Sequence, residues 1–321
     1  MSSPSVCSAE CSAQVLRYTP FDTGRYEISP GLSHFRVAAG DPQRRLLQLD
    51  REFPLYYANK QHCRSEQLQH HVLEADLKPE TRRIVNRTLI EQLCGSYPDY
   101  FWLEAPGHLH CRLSGELLCF TADFELQEHP VYLNLWDALA AQVQEDLAIW
   151  QLEGERDWLA ALHVCAPNGW APAEKIGQSF DSVHTPVPGM ERQRATYLPL
   201  LKGLIQKPAF CRFIWDLRTC AALNHHPETA NLPPFKPEQP ELWVRLERQV
   251  LYGLPACDAV LFTIRTYRYP VQELSAISLA GLDQALAGMS PELADYKRLD
   301  REALRAWLQR LLREAMPDAC P

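Results

Sequence analysis

The sequence has few glycines and none of the short motifs that glycine usually builds. Its 321 residues include 14 glycines against 25 prolines. It contains no Gly-x-Gly-x-x-Gly, no Walker loop, no His-Glu-x-x-His and no EF-hand spacing, so the common dinucleotide, nucleoside triphosphate, zinc-peptidase and calcium sites are not expected. The run 177–181 begins like a nucleophile elbow, but Asp181 stands where that turn needs its second glycine. A serine hydrolase is therefore not expected either.

Positive charge and long apolar runs are also scarce. The chain has 32 Lys and Arg residues against 40 Asp and Glu residues, and its formal charge of -8 would repel a phosphate backbone, so we expect no nucleic acid partner. The apolar stretch 274–289 carries Asp283 and is shorter than the ~20 residues that a membrane helix needs. The first fifteen residues lack the charged and apolar regions of a signal peptide. We expect a soluble, cytoplasmic protein with no membrane partner.

Eleven cysteines are present, but no two of them form a Cys-x-x-Cys pair. This spacing predicts no zinc ribbon, no thioredoxin motif and no covalent haem attachment. The odd, scattered set indicates a reducing compartment, with each thiol a small buried hydrophobe. The histidine pairs at 70–71 and 225–226 are interpreted as solvated loop residues. In a strand, His108 and His110 would share one face, which is a weak metal pattern.

The distribution of apolar residues predicts an α+β fold. Spacings of three and four predict helices at 80–95, 133–152, 191–206, 239–253, 271–288 and 291–315. Alternating runs predict strands at 117–126, 157–165, 211–219 and 258–269. Because strands and helices do not alternate regularly, we expect a modest antiparallel sheet with extensive flanking helices. The expected organisation is a flexible tail over 1–25, one domain over 26–315 and a short tail over 316–321.

The most informative stretch runs from Cys165 to Pro188. Within it, Ile176, Phe180, Val183 and His184 fall at helical spacing, and Pro186 prevents the helix from continuing. His184 is therefore predicted at a helix end, on the apolar side. A neutral imidazole held in this way can present a ring nitrogen to a metal or a haem iron. The alternative is a histidine that caps the helix carbonyls or satisfies a hydrogen bond in the core.

A second group of charged residues lies further along the chain. Glu247, Arg248 and Gln249 are predicted on the 239–253 helix, and Arg265 on the strand that follows. The return from helix to strand would bring a carboxylate and two guanidinium groups toward one cleft, which suits an anionic cofactor edge or a cationic substrate. The alternative is a surface network of ion pairs.

Several short blocks, spread over about residues 26–270, share their order and spacing with one known family. They are Gly31-Leu32, Leu49-Asp50-Arg51-Glu52-Phe53-Pro54, Gln144-Glu145-Asp146-Leu147, Trp170 with Lys175-Ile176-Gly177, Val183-His184-Thr185-Pro186-Val187-Pro188, Glu247-Arg248-Gln249 with Leu254-Pro255, and Phe262-Thr263-Ile264-Arg265-Thr266-Tyr267. With these blocks the sequence resembles the haem-dependent oxidative N-demethylase α-subunit family. The stretch from Lys175 to Pro188 is the most specific part of the resemblance.

The resemblance implies a PAS-like sheet that forms a pocket for non-covalent haem b. It also implies a monooxygenase reaction: a small secondary amine such as dimethylamine is demethylated with dioxygen, and formaldehyde is released. Electrons would come from a separate flavin and iron–sulfur reductase. A haem-binding sensor or carrier without turnover is the first alternative, and a haem-free interaction protein is the second.

The resemblance also assigns roles to particular residues. His184 becomes the expected axial haem ligand, and the candidates for contacts with haem are Lys175, Arg212, Arg248 and Arg265. Glu247 would offer its carboxylate to a protonated amine or hold the arginines in place. The chain departs from the family pattern at two positions. Ile214 stands where the family tends to have Asn, and Gly253 where it tends to have Arg before the Leu-Pro pair. Both changes remove polar groups, so the substrate can differ from dimethylamine.

Overall fold

The centre of the structure is a seven-stranded antiparallel sheet. The computed structural model describes residues 10–26, 31–127, 129, 131–188, 194–228, 233–236, 238 and 241–315. The strands are β1 (Ser33–His34), β2 (Val72–Glu74), β3 (Phe101–Ala105), β4 (His108–Cys111), β5 (Glu116–Cys119), β6 (Asp146–Glu153), β7 (Arg156–His163), β8 (Phe210–Arg218), β9 (Trp243–Leu254) and β10 (Ala259–Pro270). The large sheet has the order β1-β8-β9-β10-β6-β7-β2, and β3, β4 and β5 form a separate small sheet.

Helices surround the large sheet. They are α1 (Phe53–His71), α2 (Pro79–Ser96), α3 (Leu135–Ala141), α4 (Phe180–His184), α5 (Arg194–Gln206), α6 (Ala276–Gly288), α7 (Pro291–Lys297) and α8 (Arg301–Ala315). Local signals start several of them. Pro79 opens α2 with its fixed φ, and the Asn134 side chain accepts a hydrogen bond from the Asp137 N–H at 3.0 Å to start α3. Within the described residues, every helix falls short of the length or apolar content that a membrane crossing needs.

Strand alternation gives the large sheet two different faces. Arg248 lies opposite Arg265 and Glu247 lies opposite Thr266, so Glu247 and Arg248 point to opposite sides. We name the side with Arg248 the core face, because α2, α3, α6 and α8 pack over it. We name the other side the His184 face, because the segment 164–188 and α5 cover it. It carries Arg245, Glu247, Gln249 and Leu251 of β9, with Arg212 and Ile214 of β8.

The predicted combination of helices with an antiparallel sheet is confirmed, whereas its PAS-like character stays a prediction. The predicted helix over 239–253 is wrong, because this segment is the central strand β9. Its polar residues alternate with period two, but the burial of Arg248 in the core face disguises the alternation. The predicted helix over 133–152 is only the short α3, followed by the buried strand β6. The helix α1 was not predicted.

The segment before residue 26 packs against the sheet from residue 10 onward. Phe21 is fully buried, and the Tyr18 N–H donates to the Tyr269 hydroxyl at 3.1 Å. Gly281 of α6 allows this contact, since a Cβ there would overlap the Phe21 carbonyl oxygen. Residues 10–25 therefore do not extend as a tail. Residues 1–9 and the predicted tail over 316–321 lie outside the described residues.

Candidate functional site

The short helix α4 places His184 over its face of the sheet. Ser179 starts the helix by accepting a hydrogen bond from the Ser182 N–H at 3.2 Å, and the Phe180 N–H donates to the Asp157 carboxylate at 2.6 Å. Pro186 follows two residues after the helix ends, as its lack of an N–H requires. The sequence prediction of a histidine at a helix end is confirmed.

The imidazole of His184 is neutral and has a defined tautomer. Its Nδ1 lies 2.7 Å from the Phe180 carbonyl oxygen, which can only accept, so Nδ1 carries the proton and Nε2 carries the lone pair. Burial lowers the pKa of His184 to about 4, and the positive charges of Arg212 and Lys175 act in the same direction. This hydrogen bond caps a helix carbonyl, which is the alternative role for His184, but it leaves Nε2 able to bind a metal.

Apolar side chains surround this imidazole. The Phe180 ring lies 4.2 Å from the His184 ring, centroid to centroid, and packs in turn on Trp150. The cluster on this face also contains several partly exposed side chains, namely Leu73, Trp170, Ile176, Val183, Leu198 and Phe262. A partly open apolar surface beside a neutral imidazole suits a flat, largely apolar ligand.

Lys175 lies at the edge of this surface. Its Nζ donates to the Val183 carbonyl at 3.1 Å and stands 5.3 Å from the centre of the Trp170 ring. Burial lowers the pKa of Lys175, although the nearby Glu174 opposes this effect. The ammonium group is thus tied to the segment that carries His184, and it acts on the imidazole as a neighbouring cation.

A chain of polar side chains lies beside His184 on the sheet. The Arg212 Nε donates to the Gln249 side-chain oxygen at 2.7 Å, and the Gln249 amide donates to the Glu247 carboxylate at 2.8 Å. The Arg245 Nε lies 4.0 Å from the other Glu247 oxygen. The Glu247 side chain is 14% exposed, so its carboxylate is reachable from solvent. The structure therefore places Lys175 and Arg212 near His184, and Glu247 joins this group through Gln249 and Arg212.

Arg248 and Arg265 lie on the opposite side of the sheet. Both are buried, at 1% and 0% exposed. The Arg248 guanidinium donates to the Arg45 carbonyl at 2.7 Å, and Arg265 pairs with the Asp50 carboxylate at 2.8 Å. The Arg265 guanidinium also stacks on the Tyr56 ring at 4.0 Å. The structure does not bring these two arginines to His184, and their contacts are with the protein core.

The two departures from the family pattern have different structural settings. Ile214 lies on the His184 face, directly opposite Glu247 in the strand pairing. Gly253 lies at the end of β9 under the last turn of α5, where a Cβ would overlap the carbonyl oxygens of Leu204 and Ile205. An arginine at 253 would therefore need α5 to move. The lack of a side chain at this position lets the helix pack closely on the sheet.

Two surface cavities lie away from His184, near the C-terminal end of α5. They have volumes of about 320 and 730 Å³, and Gln206 lines both of them. Neither lining includes His184, Arg212 or Glu247. These two cavities are therefore not part of the candidate site.

The structure also brings together two cysteines and a histidine that are distant in the sequence. Cys63, His71 and Cys165 are buried and place their donor atoms within 4.8 Å of one another. Cys63 and Cys165 are 102 positions apart, and no spacing motif connects them. The histidine pair 225–226 is also buried, at 1% for each residue, and does not lie in solvent as predicted.

The structure is that of a mixed α/β protein built around an antiparallel sheet. One face of this sheet carries a neutral imidazole among apolar side chains, an arrangement suited to a cofactor that takes a histidine ligand. Comparison with protein families then gives the particular group: residues 39–305 match the family described as "Haem-dependent oxidative N-demethylase, alpha subunit-like". The match covers most of the chain, so the chain belongs to this family, and the resemblance in the sequence is confirmed.

The residues on the His184 face fit the haem that the family name implies. Haem needs an imidazole with a free lone pair, apolar contacts for the macrocycle and cations for its propionates. His184 supplies the first through Nε2, because its Nδ1 is already bonded to the Phe180 carbonyl. Trp170 and Phe262 belong to the partly exposed apolar surface. Lys175 and Arg212 are the cations near His184.

Proposed function

We propose that this chain binds haem b through His184 and catalyses oxidative N-demethylation of a small secondary amine. The observation that carries the proposal is the neutral His184 imidazole on the same sheet face as Arg212 and Glu247, in a member of this family. The reaction uses dioxygen and two electrons from a separate reductase. Its products are the primary amine, formaldehyde and water.

The residues around His184 have distinct roles in this proposal. His184 donates Nε2 to the iron, and Lys175 and Arg212 pair with the propionates, for which the guanidinium fork of Arg212 is well shaped. When bound, haem supplies the activation of dioxygen. Because the sequence has no Cys-x-x-Cys-His, the haem is held without covalent links. Arg248 and Arg265 hold the sheet to the core and do not contact the haem.

Glu247 is the candidate for binding the amine. A secondary amine is protonated at neutral pH, and the Glu247 carboxylate offers it a charge-assisted hydrogen bond. Gln249 fixes this carboxylate by its 2.8 Å hydrogen bond, and Ile214 gives an apolar neighbour for the methyl groups. Oxidation of one methyl C–H bond takes one oxygen atom from dioxygen and forms a carbinolamine. The other oxygen atom leaves as water with two protons and two electrons, and the carbinolamine breaks down to amine and formaldehyde.

The electrons come from a partner protein in this proposal. The sequence has no closely spaced cysteines of the kind that hold an iron–sulfur cluster, so a separate flavin and iron–sulfur reductase is expected. All nine cysteines within the described residues are free. This is compatible with a reducing cytoplasm, where we expect the protein to act.

The haem assignment is tested by comparing two histidine variants. The full chain is reconstituted with haem, and its visible spectrum and haem occupancy are measured. We expect His184→Ala to lose haem or to shift the Soret band, because no imidazole remains to bind the iron. His62→Ala is the control, since His62 lies on the exposed side of α1 with a side chain 62% exposed. A His184→Ala protein with full occupancy and an unaltered Soret band would refute the assignment.

A haem-binding sensor or carrier is the second candidate function. Ile214 favours it, because it replaces a polar group of the family pattern on the His184 face. The two functions separate in an assay that supplies dimethylamine, dioxygen and an electron donor to the haem-loaded protein. Formaldehyde release at a rate that depends on the protein supports the enzyme. Haem binding without formaldehyde, across a series of small secondary amines, supports the sensor or carrier.

A further inference from the structure

Two thiols and an imidazole meet in the interior, outside the His184 face. Cys63 and His71 come from α1, and Cys165 follows the end of β7. All three are nearly inaccessible, at 2%, 2% and 0% exposed. One donor atom from each lies within 4.8 Å of the other two. Thiolate sulfur and imidazole nitrogen are the donors that zinc prefers in closed structural sites.

The backbone of α1 makes this meeting possible. Cys63 and His71 are eight positions apart, which in a straight helix separates them by about 12 Å along the axis. Between them, Gln67 has φ -151° and ψ 63°, so the helix is interrupted at that residue. Because of this interruption both side chains can reach Cys165.

Hydrogen bonds with neighbouring groups orient the His71 and Cys63 side chains. The His71 Nδ1 lies 2.8 Å from the Val164 carbonyl oxygen, so it carries the proton and leaves the Nε2 lone pair free, as in histidines that bind metals. The Asn224 amide donates to the Cys63 sulfur at 3.5 Å. The Cys63 thiol itself donates to the Cys165 carbonyl oxygen at 3.7 Å, so binding of a cation would release this proton.

A further nitrogen donor lies beside Cys165. His163 is 0% exposed. Its Nε2 lies 3.3 Å from the Asp137 carboxylate, and the Cys165 thiol is the other close neighbour of the ring. His163 is thus the imidazole next to Cys165, and a nitrogen ligand there would complete the four donors of a closed zinc site.

We propose that Cys63, His71 and Cys165 form a structural site for a zinc-like divalent cation, with His163 beside Cys165 as the candidate fourth donor. Two thiolates cancel the charge of the cation, so the bound site is neutral and compatible with the dry interior. A partly exposed group, His70, His226 and Glu228, lies next to it, and the His226 ring contacts the rings of both His70 and His71. This outer group gives the cation a route from the surface.

Metal analysis of the full, haem-loaded chain tests the proposal. We expect about one zinc ion per chain, with sulfur at about 2.3 Å and nitrogen at about 2.0 Å in X-ray absorption at the zinc edge. Iron has its absorption edge at a different energy, so the haem iron does not contribute to the zinc signal. Cys63→Ser and Cys165→Ser should each weaken zinc binding by more than about 100-fold. Cys111→Ser is the matched control, because Cys111 is equally buried, at 1%, in the small sheet.

The unmodified chain keeps the test decisive if the cysteine variants do not fold. A zinc shell with two sulfur atoms and a fall in Tm after chelation support the site. A chain that takes up no zinc and shows no change in Tm on zinc addition overturns it, as does a Cys63–Cys165 disulfide in the purified protein. Zinc that all three serine variants retain equally also overturns it.

Discussion

The two faces of the large sheet use arginine in opposite ways. On the core face, Arg265 is fully buried and its donors reach the Asp50 carboxylate and the carbonyl oxygens of Gln48 and Thr266. On the His184 face, Arg212 is partly exposed and its Nε donates to the side-chain oxygen of Gln249. The Arg265 guanidinium is fixed, because main-chain carbonyls and a buried carboxylate accept its hydrogen bonds. The Arg212 guanidinium donates to a side-chain amide oxygen, so it can turn towards a ligand.

This difference distinguishes the arginines that hold the core from the arginine of the proposed haem site. Sequence reasoning grouped Arg212, Arg248 and Arg265 together, because a planar fork suits a propionate wherever it stands. The strand register divides them, since one position along β9 moves a side chain to the other face. We therefore expect the same arginine substitution to change stability by different amounts on the two faces.

The largest effect is expected from the core face. Arg265→Met removes one partner of a buried ion pair and leaves the Asp50 carboxylate without its main cation, which should lower the free energy of unfolding by about 3–5 kcal/mol. The same change at Arg212 should cost about 1 kcal/mol, because one hydrogen bond is lost and Gln249 keeps its bond to Glu247. Urea unfolding of the two variants measures both values. Equal losses would contradict the division into two faces.

A smaller effect is expected from the titration of His184 in the haem-free chain. Its pKa of about 4 in the folded state lies below the 6.5 of an unperturbed histidine. The unfolded chain therefore binds the proton first as the pH falls, and stability is lost between pH 6.5 and pH 4. The loss should be about 2 kcal/mol, after allowance for the partial exposure of the ring.

Urea unfolding at pH 7 and at pH 4.5 measures this dependence, with His184→Gln as the comparison. The difference between the two pH values should be smaller for the variant, because glutamine does not titrate. If wild type and variant lose stability in parallel, the imidazole is not held neutral by its surroundings. His225, with a pKa lowered to about 3 mainly by burial, contributes equally to both proteins.

The smallest effect on stability is expected for Glu247→Gln. The carboxylate is partly exposed and its amide partner can pair with glutamine, so the free energy of unfolding should change by less than about 1 kcal/mol. Loss of the charge should raise KM for the amine by about tenfold or more, with the Soret band unchanged. Steady-state formaldehyde release checks this, with the exposed helix residue in Glu91→Gln as the control. An unchanged KM would show that Glu247 does not bind the amine.

Much of the site can be predicted from sequence because its signals are local. Pro186 ends a short helix, and the apolar spacing places His184 at its end, as the structure shows, although Ile176 of the same spacing lies before α4. The strands β8 and β10 were also predicted, because their alternation is regular. Each of these features depends on residues within one short segment.

The rest depends on contacts between distant segments. The polar residues of β9 suggested a helix, because nothing in the segment itself shows that Arg248 finds carbonyl partners at residues 43 and 45. The cluster of Cys63, His71 and Cys165 was missed for the same reason, since its members meet only after α1 breaks at Gln67 and packs beside the end of β7. Tertiary packing decides both features.

The register of β9 also constrains how this chain can diverge. Inserting or deleting one residue ahead of Glu247 would exchange the two faces, carrying its carboxylate into the core and the Arg248 guanidinium toward His184. Such a change would remove the proposed haem surface and the core contacts together. Under the proposed function, new substrate preferences should therefore arise by replacement at single positions such as 212, 214 and 247, without a change of length in β9.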